Sequence, residues 1–286
     1  MVTTKQSALS GAIYIAAGCV AWSFAGVLGK WTPWGALSII GVRALLATVA
    51  FGLLRGHWRV RPCRGTWLGA LGVALTSLLF IVSNKLTTAA NAIVLQYAMP
   101  AVVIVASAVV YKQRPSRLDT LATVMTMLGV ALCFVSGLKA GNLLGDALAL
   151  LSAATYALVF MAARTGANPM DYSYLGNMIS CLCLLALPFD RNVSLAWQPL
   201  LGVLLMGVCL TAGYYLFSRG MQAGVSPITA AIVANIEPVL NPIWVFLALG
   251  EAPGLFTLLG AALVLFTVTA YSVINARRIE QTAASA

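Results

Sequence analysis

The chain has 286 residues, of which 61% are hydrophobic and only 8% charged; a soluble domain carries about 25% charged residues, so a soluble globular protein is excluded. The net charge of +10 would suit a nucleic-acid binder, but the basic residues lie between apolar runs and gather on no soluble face. No nucleic-acid partner is expected, and the charge reads as a membrane-topology signal.

Ten apolar runs follow one another, at roughly 8–29, 34–54, 67–84, 88–111, 118–136, 143–163, 172–189, 199–218, 226–249 and 254–275. Each is near the ~20 residues that cross a bilayer as a helix. The expected architecture is an all-α membrane protein of ten transmembrane helices, with loops too short for a separate soluble domain. The first run has no clear small-residue cleavage site, so it reads as a retained helix rather than a signal peptide. It carries Trp22 and Ser23 near its middle. A tryptophan so far from the interface belt prefers the bundle interior or a cavity wall. The second run holds Arg43, which either snorkels outward or meets an acid; a structural role is expected for it. The basic loop from Arg55 to Arg64 reads as a cytoplasmic lid or an anionic-lipid contact.

The third run contains Phe80, and the fourth places Gln96 and Tyr97 just ahead of a mid-helix Pro100. The fifth and tenth are the plainest, with threonines that can bond back to their own helix; they are expected at the periphery or at an oligomer contact. Tyr156 sits in the sixth run and Tyr214 in the eighth. The ninth is the most unusual, because it holds Glu237, two amides (Asn235, Asn241) and two prolines (Pro238, Pro242) within one apolar stretch. A carboxyl group in mid-bilayer must be paired, protonated or hydrated. Prolines there remove backbone hydrogen bonds and kink the helix. A broken polar helix is more often a solute pathway than a strut; the bland alternative is a packing helix whose Glu237 pairs with Arg43. Asn241 and Trp244, four and seven residues beyond Glu237, share its helical face, whereas Asn235 points nearly the opposite way.

Basic residues sort by side. Lys5, Arg55, Arg59, Arg61, Arg64, Lys112, Arg114, Arg117, Arg164, Arg219, Arg277 and Arg278 fall at the N-terminus, in alternate loops and at the C-terminus; only Lys30, Lys85, Lys139 and Arg191 fall opposite. Both termini are therefore expected in the cytoplasm. Of six cysteines, Cys63 alone lies in a loop, on that cytoplasmic side, where disulfides are rare. Cys181 and Cys183 make a poor metal pair, so neither metal nor cofactor is expected.

The second half repeats the first. At an offset of 138, Ala92 meets Ala230, Pro100 meets Pro238 and Pro115 meets Pro253; at 134, Gly11 meets Gly145 and Trp22 meets Tyr156. The halves, 1–140 and 141–286, each hold five helices. Five is odd, so the second copy enters the membrane inverted, a recurring transporter design with its site near the midplane. That symmetry brings Gln96 and Tyr97 opposite Glu237, Asn241 and Trp244. Trp22, Ser23, Phe80, Tyr156 and Tyr214 complete the expected wall. Pro100, Pro238 and Pro242 are the expected hinges. Taken singly, each aromatic is as easily core packing; the set together has the apolar and aromatic profile of a small-molecule site.

With these residues in view, the chain resembles the drug/metabolite transporter superfamily, in its ten-helix EamA type. The likeness rests on Ala21-Trp22-Ser23, on Arg43 with the apolar run after it, on Ala90 to Pro100, on Ser226 to Pro238, and on Leu249-Gly250-Glu251 leading to Leu259-Gly260-Ala261. It covers about residues 8–275. The first half departs from it at Tyr111-Lys112-Gln113. Within the superfamily the chain looks most like exporters of aromatic and other bulky amino acids, which implies a carrier of the bacterial inner membrane.

Charge narrows the substrate. Phosphorylated and nucleotide sugars need several cations, and Arg43 is the one mid-helix cation. Aromatic faces suit a flat or apolar side chain and attract an amino group. Glu237 can bind a substrate ammonium or carry a proton for coupled transport, or it can form a permanent pair with Arg43; the sequence leaves these open. No G-x-x-x-x-G-K-[ST] motif for ATP is present. No constellation of an enzyme is visible either. The expected function is export of amino acids and similar small metabolites by alternating access, with a monomer sufficient for the pathway. Export of cationic drugs or other metabolites, a channel, or a structural membrane subunit remain the alternatives.

Overall fold

The computed structural model describes residues 3–87, 89–112, 114–133, 135, 142–249 and 254–284. Among these the regular structure is helical throughout: α1 (Thr3–Ser23), α2 (Ala25–Trp31), α3 (Ala36–Arg55), α4 (Arg64–Leu86), α5 (Ala89–Gln96), α6 (Met99–Val110) and α7 (Arg117–Cys133). The second half gives α8 (Leu143–Ala162), α9 (Pro169–Ser180), a nine-residue 3-10 segment (Cys181–Phe189), α10 (Trp197–Gln222), α11 (Pro227–Ala234), α12 (Ile236–Leu249) and α13 (Leu255–Ala284). The expected boundary between halves, at 140 and 141, lies outside the described residues.

Local chemistry sets the helix ends. The side chains of Asn142 and Asn168 accept from the amides of Leu144 and Met170, both at 2.9 Å, opening α8 and α9. Ser226 accepts from the amide of Thr229 at 3.1 Å, with Pro227 at the first helical position of α11, where a missing N–H costs nothing. Ser116 and Asp119 bond each other's amides ahead of α7, a reciprocal capping box. Gly56 ends α3 at φ 70°, a left-handed cap that glycine adopts freely.

Within the described residues each of the ten predicted runs lies mostly on helix. By length and apolar composition, seven segments qualify as membrane-crossing. Run 8–29 breaks at Phe24 between α1 and α2, run 226–249 breaks at Asn235 between α11 and α12, and run 118–136 is described as helix only to Cys133. Run 88–111 also breaks, at Tyr97 and Ala98. Two of these breaks have one cause. Pro100 and Pro238 each lack an N–H and clash with the carbonyl four residues back. The chain answers with tighter bonds three residues back: Ala98 N–H to the Leu95 carbonyl and Asn235 N–H to the Ile232 carbonyl, both 3.2 Å. The break at Phe24 has no proline. Ser23 there donates back to the Val20 carbonyl at 2.7 Å, and Phe24 stacks on Trp244 of α12 with ring centroids 4.4 Å apart.

The most extensive helix pairs all join the first half to the second: α4 with α8, α1 with α10, α7 with α13, α4 with α9 and α3 with α10. Exchange the halves, so that α1 stands for α8, α3 for α9 and α4 for α10, and the pattern maps onto itself. Small residues permit the close approach. Gly11 and Gly18 of α1 lie against Gly220 and Gly213 of α10, and Gly72 of α4 lies against the Thr155 carbonyl of α8. Without a hydrophobic drive between helices in lipid, such notches are what lets backbones meet. α3 is tied to the α9 chain at both ends. Arg55 pairs with Asp171 at 2.8 Å and lies over the Tyr174 ring, while the Gly35 amide donates to Asp190 at 2.6 Å. Outward faces carry large exposed apolar side chains such as Leu53, Val109, Leu182 and Phe266, as contact with lipid tails requires.

Candidate functional site

The two proline breaks open onto one cavity. The α5–α6 break presents Tyr97, and α12 starts directly after its own break, presenting Glu237 in its first turn. The Tyr97 hydroxyl lies within electrostatic reach of the Glu237 carboxyl. Gln96, the last residue of α5, is buried beside them. These groups open onto a cavity of about 130 Å³.

The rest of the wall comes from long helices. Trp22 of α1 meets Tyr214 of α10 edge-on, with ring centroids 5.0 Å apart. Its indole sits where a Cβ on Gly213 would be, so that glycine makes room for it. Behind these rings, Phe217 and Phe160 stand edge-on at 5.1 Å, and Phe160 meets Tyr156 in the same way at 5.1 Å. Tyr156 of α8 returns to the cavity wall. Phe80, Thr76 and Ser77 contribute from α4, and the Thr76 hydroxyl bonds that of Thr155 at 3.0 Å, pinning α4 to α8.

Seven of the sequence-predicted residues therefore line one cavity: Trp22, Phe80, Gln96, Tyr97, Tyr156, Tyr214 and Glu237. Ser23 and Trp244 are brought together elsewhere. The Trp244 indole N–H donates to the Ser23 hydroxyl at 2.7 Å, and its ring stacks on Phe24. The shared face with Glu237 holds in angle only. Seven residues also advance about 10 Å along the axis, which carries Trp244 past the cavity to the α1–α2 break. The Asn235 amide donates to the Ala231 carbonyl of its own helix at 3.1 Å, and the Asn235 oxygen is buried without a partner. The side chains of Asn241 and Pro242 lie outside the described residues.

Sequence reasoning placed Arg43 in a structural role, yet it lines the cavity. Its guanidinium donates to the Ser77 hydroxyl at 3.3 Å. Among the described residues it makes no ion pair with Glu237. The missed signal was its depth: an arginine two and a half turns into an apolar run is too far from either interface for an easy reach to water. Among the described residues no group of three His, Cys, Asp or Glu could hold a metal ion.

The EamA-like transporter family model matches residues 9–135 and again residues 143–273, which accounts for nearly the whole chain as two repeats. No curated protein matches. Among solved structures, one crystal structure superposes with a TM-score of 0.76 at 20% identity, covering 95% of this chain and 99% of that one. At that identity it speaks to the fold alone.

Proposed function

Because the chain belongs to the EamA-like transporter family, a family of multi-pass membrane carriers of small molecules, we propose that it exports amino acids with aromatic or other bulky apolar side chains, and similar small metabolites. In this reading ten helices cross the bacterial inner membrane as two inverted five-helix repeats, with both termini in the cytoplasm. The repeats rock about the central cavity, hinged at Pro100, Pro238 and Pro242.

The observation that carries this reading is the composition of the cavity. Both repeats build it: Trp22, Arg43, Phe80, Gln96 and Tyr97 come from the first, and Tyr156, Tyr214 and Glu237 from the second. A site shared by two bodies changes shape whenever they move against each other, which is the physical requirement of alternating access. Aromatic faces with a few polar groups suit a small amphiphilic solute. Size favours a metabolite over the alternative of a cationic drug. The cavity of about 130 Å³ is well below the roughly 300–1,000 Å³ of drug-sized sites.

The test is uptake into proteoliposomes of purified protein with a panel of labelled amino acids, with and without a pH gradient. Saturable uptake of bulky apolar amino acids is expected. Folded protein that carries none of them defeats the amino-acid reading. If uptake follows the gradient, Glu237 is the expected proton carrier, and Glu237→Gln is expected to fold normally while transport is lost or stops responding to pH. Unchanged, pH-responsive transport by that variant removes Glu237 from the mechanism.

A further inference from the structure

The cavity holds a basic and an acidic group that do not pair with each other. Arg43 enters from α3 in the first repeat and Glu237 from α12 in the second. Among the described residues neither forms an ion pair. A guanidinium and a carboxylate sharing one apolar cavity would gain much by direct contact, since each bears a desolvation cost that pairing offsets. The fold holds them apart instead. Arg43 is held by Ser77, and Glu237 lies within electrostatic reach of Tyr97. Tyr214 lines the same cavity, within electrostatic reach of both poles, and Trp22 meets it edge-on.

Each pole keeps unused hydrogen-bonding capacity. A guanidinium has five N–H donors in a fork that matches a carboxylate, and one hydrogen bond to Ser77 occupies only part of it. A carboxylate has about four acceptor positions. We propose that Arg43 holds the carboxylate and Glu237 the ammonium of one zwitterionic amino acid, whose side chain lies against the aromatic wall. The inference rests on the carrier reading above and narrows it: the site selects solutes that carry both charges, and rejects amines and acids that carry one. A solute with a single charge leaves the other pole desolvated and unpaired, a penalty that matching contacts elsewhere do not remove.

The experiment uses the full-length protein in proteoliposomes, with labelled phenylalanine and leucine as solutes. Each is set against its own amine (phenethylamine, 3-methylbutylamine) and its own acid (3-phenylpropionate, 4-methylpentanoate). In the wild type the amine and the acid are expected to compete at least about tenfold more weakly than the unlabelled amino acid, as loss of one charged hydrogen-bonded contact implies. In competition for binding to the purified variants, which needs no turnover, Arg43→Gln is expected to erase the preference for the amino acid over its amine while keeping the preference over the acid; Glu237→Gln is expected to do the reverse. Equal competition by all three in the wild type overturns the zwitterion site while leaving the carrier reading intact, and it needs no variant to fold. Variants that bind with the wild-type preferences overturn it as well. No uptake of either amino acid by folded wild type defeats the carrier reading itself, and this inference with it.

Discussion

Trp22 shows how one side chain can serve two tasks. It touches Tyr214 and Phe217 and fills the notch left by Gly213, so it belongs to the seam between α1 and α10 as much as to the cavity. Trp22→Ala is therefore expected to weaken substrate recognition and also to destabilise the fold by about 3–5 kcal/mol, the usual cost of emptying a large buried aromatic. Apparent affinity and the thermal midpoint, measured on the same preparation, check this; a changed affinity at an unchanged midpoint would show that the indole serves the cavity alone. Much of this scale was legible in the sequence. An acid, a glutamine and three tyrosines in apolar runs announce themselves, because burying polar atoms demands a reason. The place of Arg43 in the cavity wall was not legible, because a single arginine has an inexpensive alternative in snorkelling, and only the packed bundle removes it. Trp244 was misjudged because helical spacing gives direction around the axis but not distance along it.

Between residue and molecule stand the broken helices. Tyr97 and Asn235 each precede a proline by three residues, and each lies at a break. Pro238→Ala would restore the N–H that the Ala234 carbonyl lacks and remove a residue that costs about 3 kcal/mol within a helix. The expected result is a thermal midpoint equal to or above that of the wild type with transport reduced about tenfold or more, since α11 and α12 could then run as one rod and turn Glu237 away from Tyr97. Wild-type turnover in this variant would mean that the break is maintained by tertiary contacts and the proline is dispensable. Proline breaks can be read from sequence because the missing donor is written there. The break at Phe24 could not be, since its causes are a serine that bonds backwards and a stack on a residue 220 positions away. Nor could the 3-10 conformation of Cys181–Phe189. No local propensity asks for nine residues of it, and α3 passes so close that a Cβ on Gly41 would meet the backbone of Cys183 and Leu184.

At the scale of the whole molecule, composition decided fold class before any helix was placed, because so apolar a chain has no other solvent. Orientation rests on the basic residues, and Cys63 offers a direct probe of it. The thiol is exposed at the start of α4, and hydrogen bonds from Thr66 hold it below the usual thiol range, which favours the reactive thiolate. A membrane-impermeant maleimide is expected to label Cys63 in inside-out vesicles and to spare it in right-side-out ones, with Cys63→Ser as the blank. The opposite pattern would invert the topology. The repeat was legible from matched prolines and glycines. The partnership between its copies was not, because periodicity shows which face of a helix is apolar and says nothing of whose face it will meet.

That partnership bears on the order in which the molecule is made. Its most extensive helix pairs all cross from one repeat to the other, so the helices synthesised first have their mates synthesised last. While the ribosome is still extending the chain, the notched faces of α1 and α4 rest against lipid tails, which are as apolar as leucine and exert no pull toward assembly. α4 finds α8 soon after the midpoint of translation, but α1 waits for α10. A nascent chain cut short before Trp197 would sit in the bilayer with its opening helix unmated, ready to be recognised and cleared by membrane quality control.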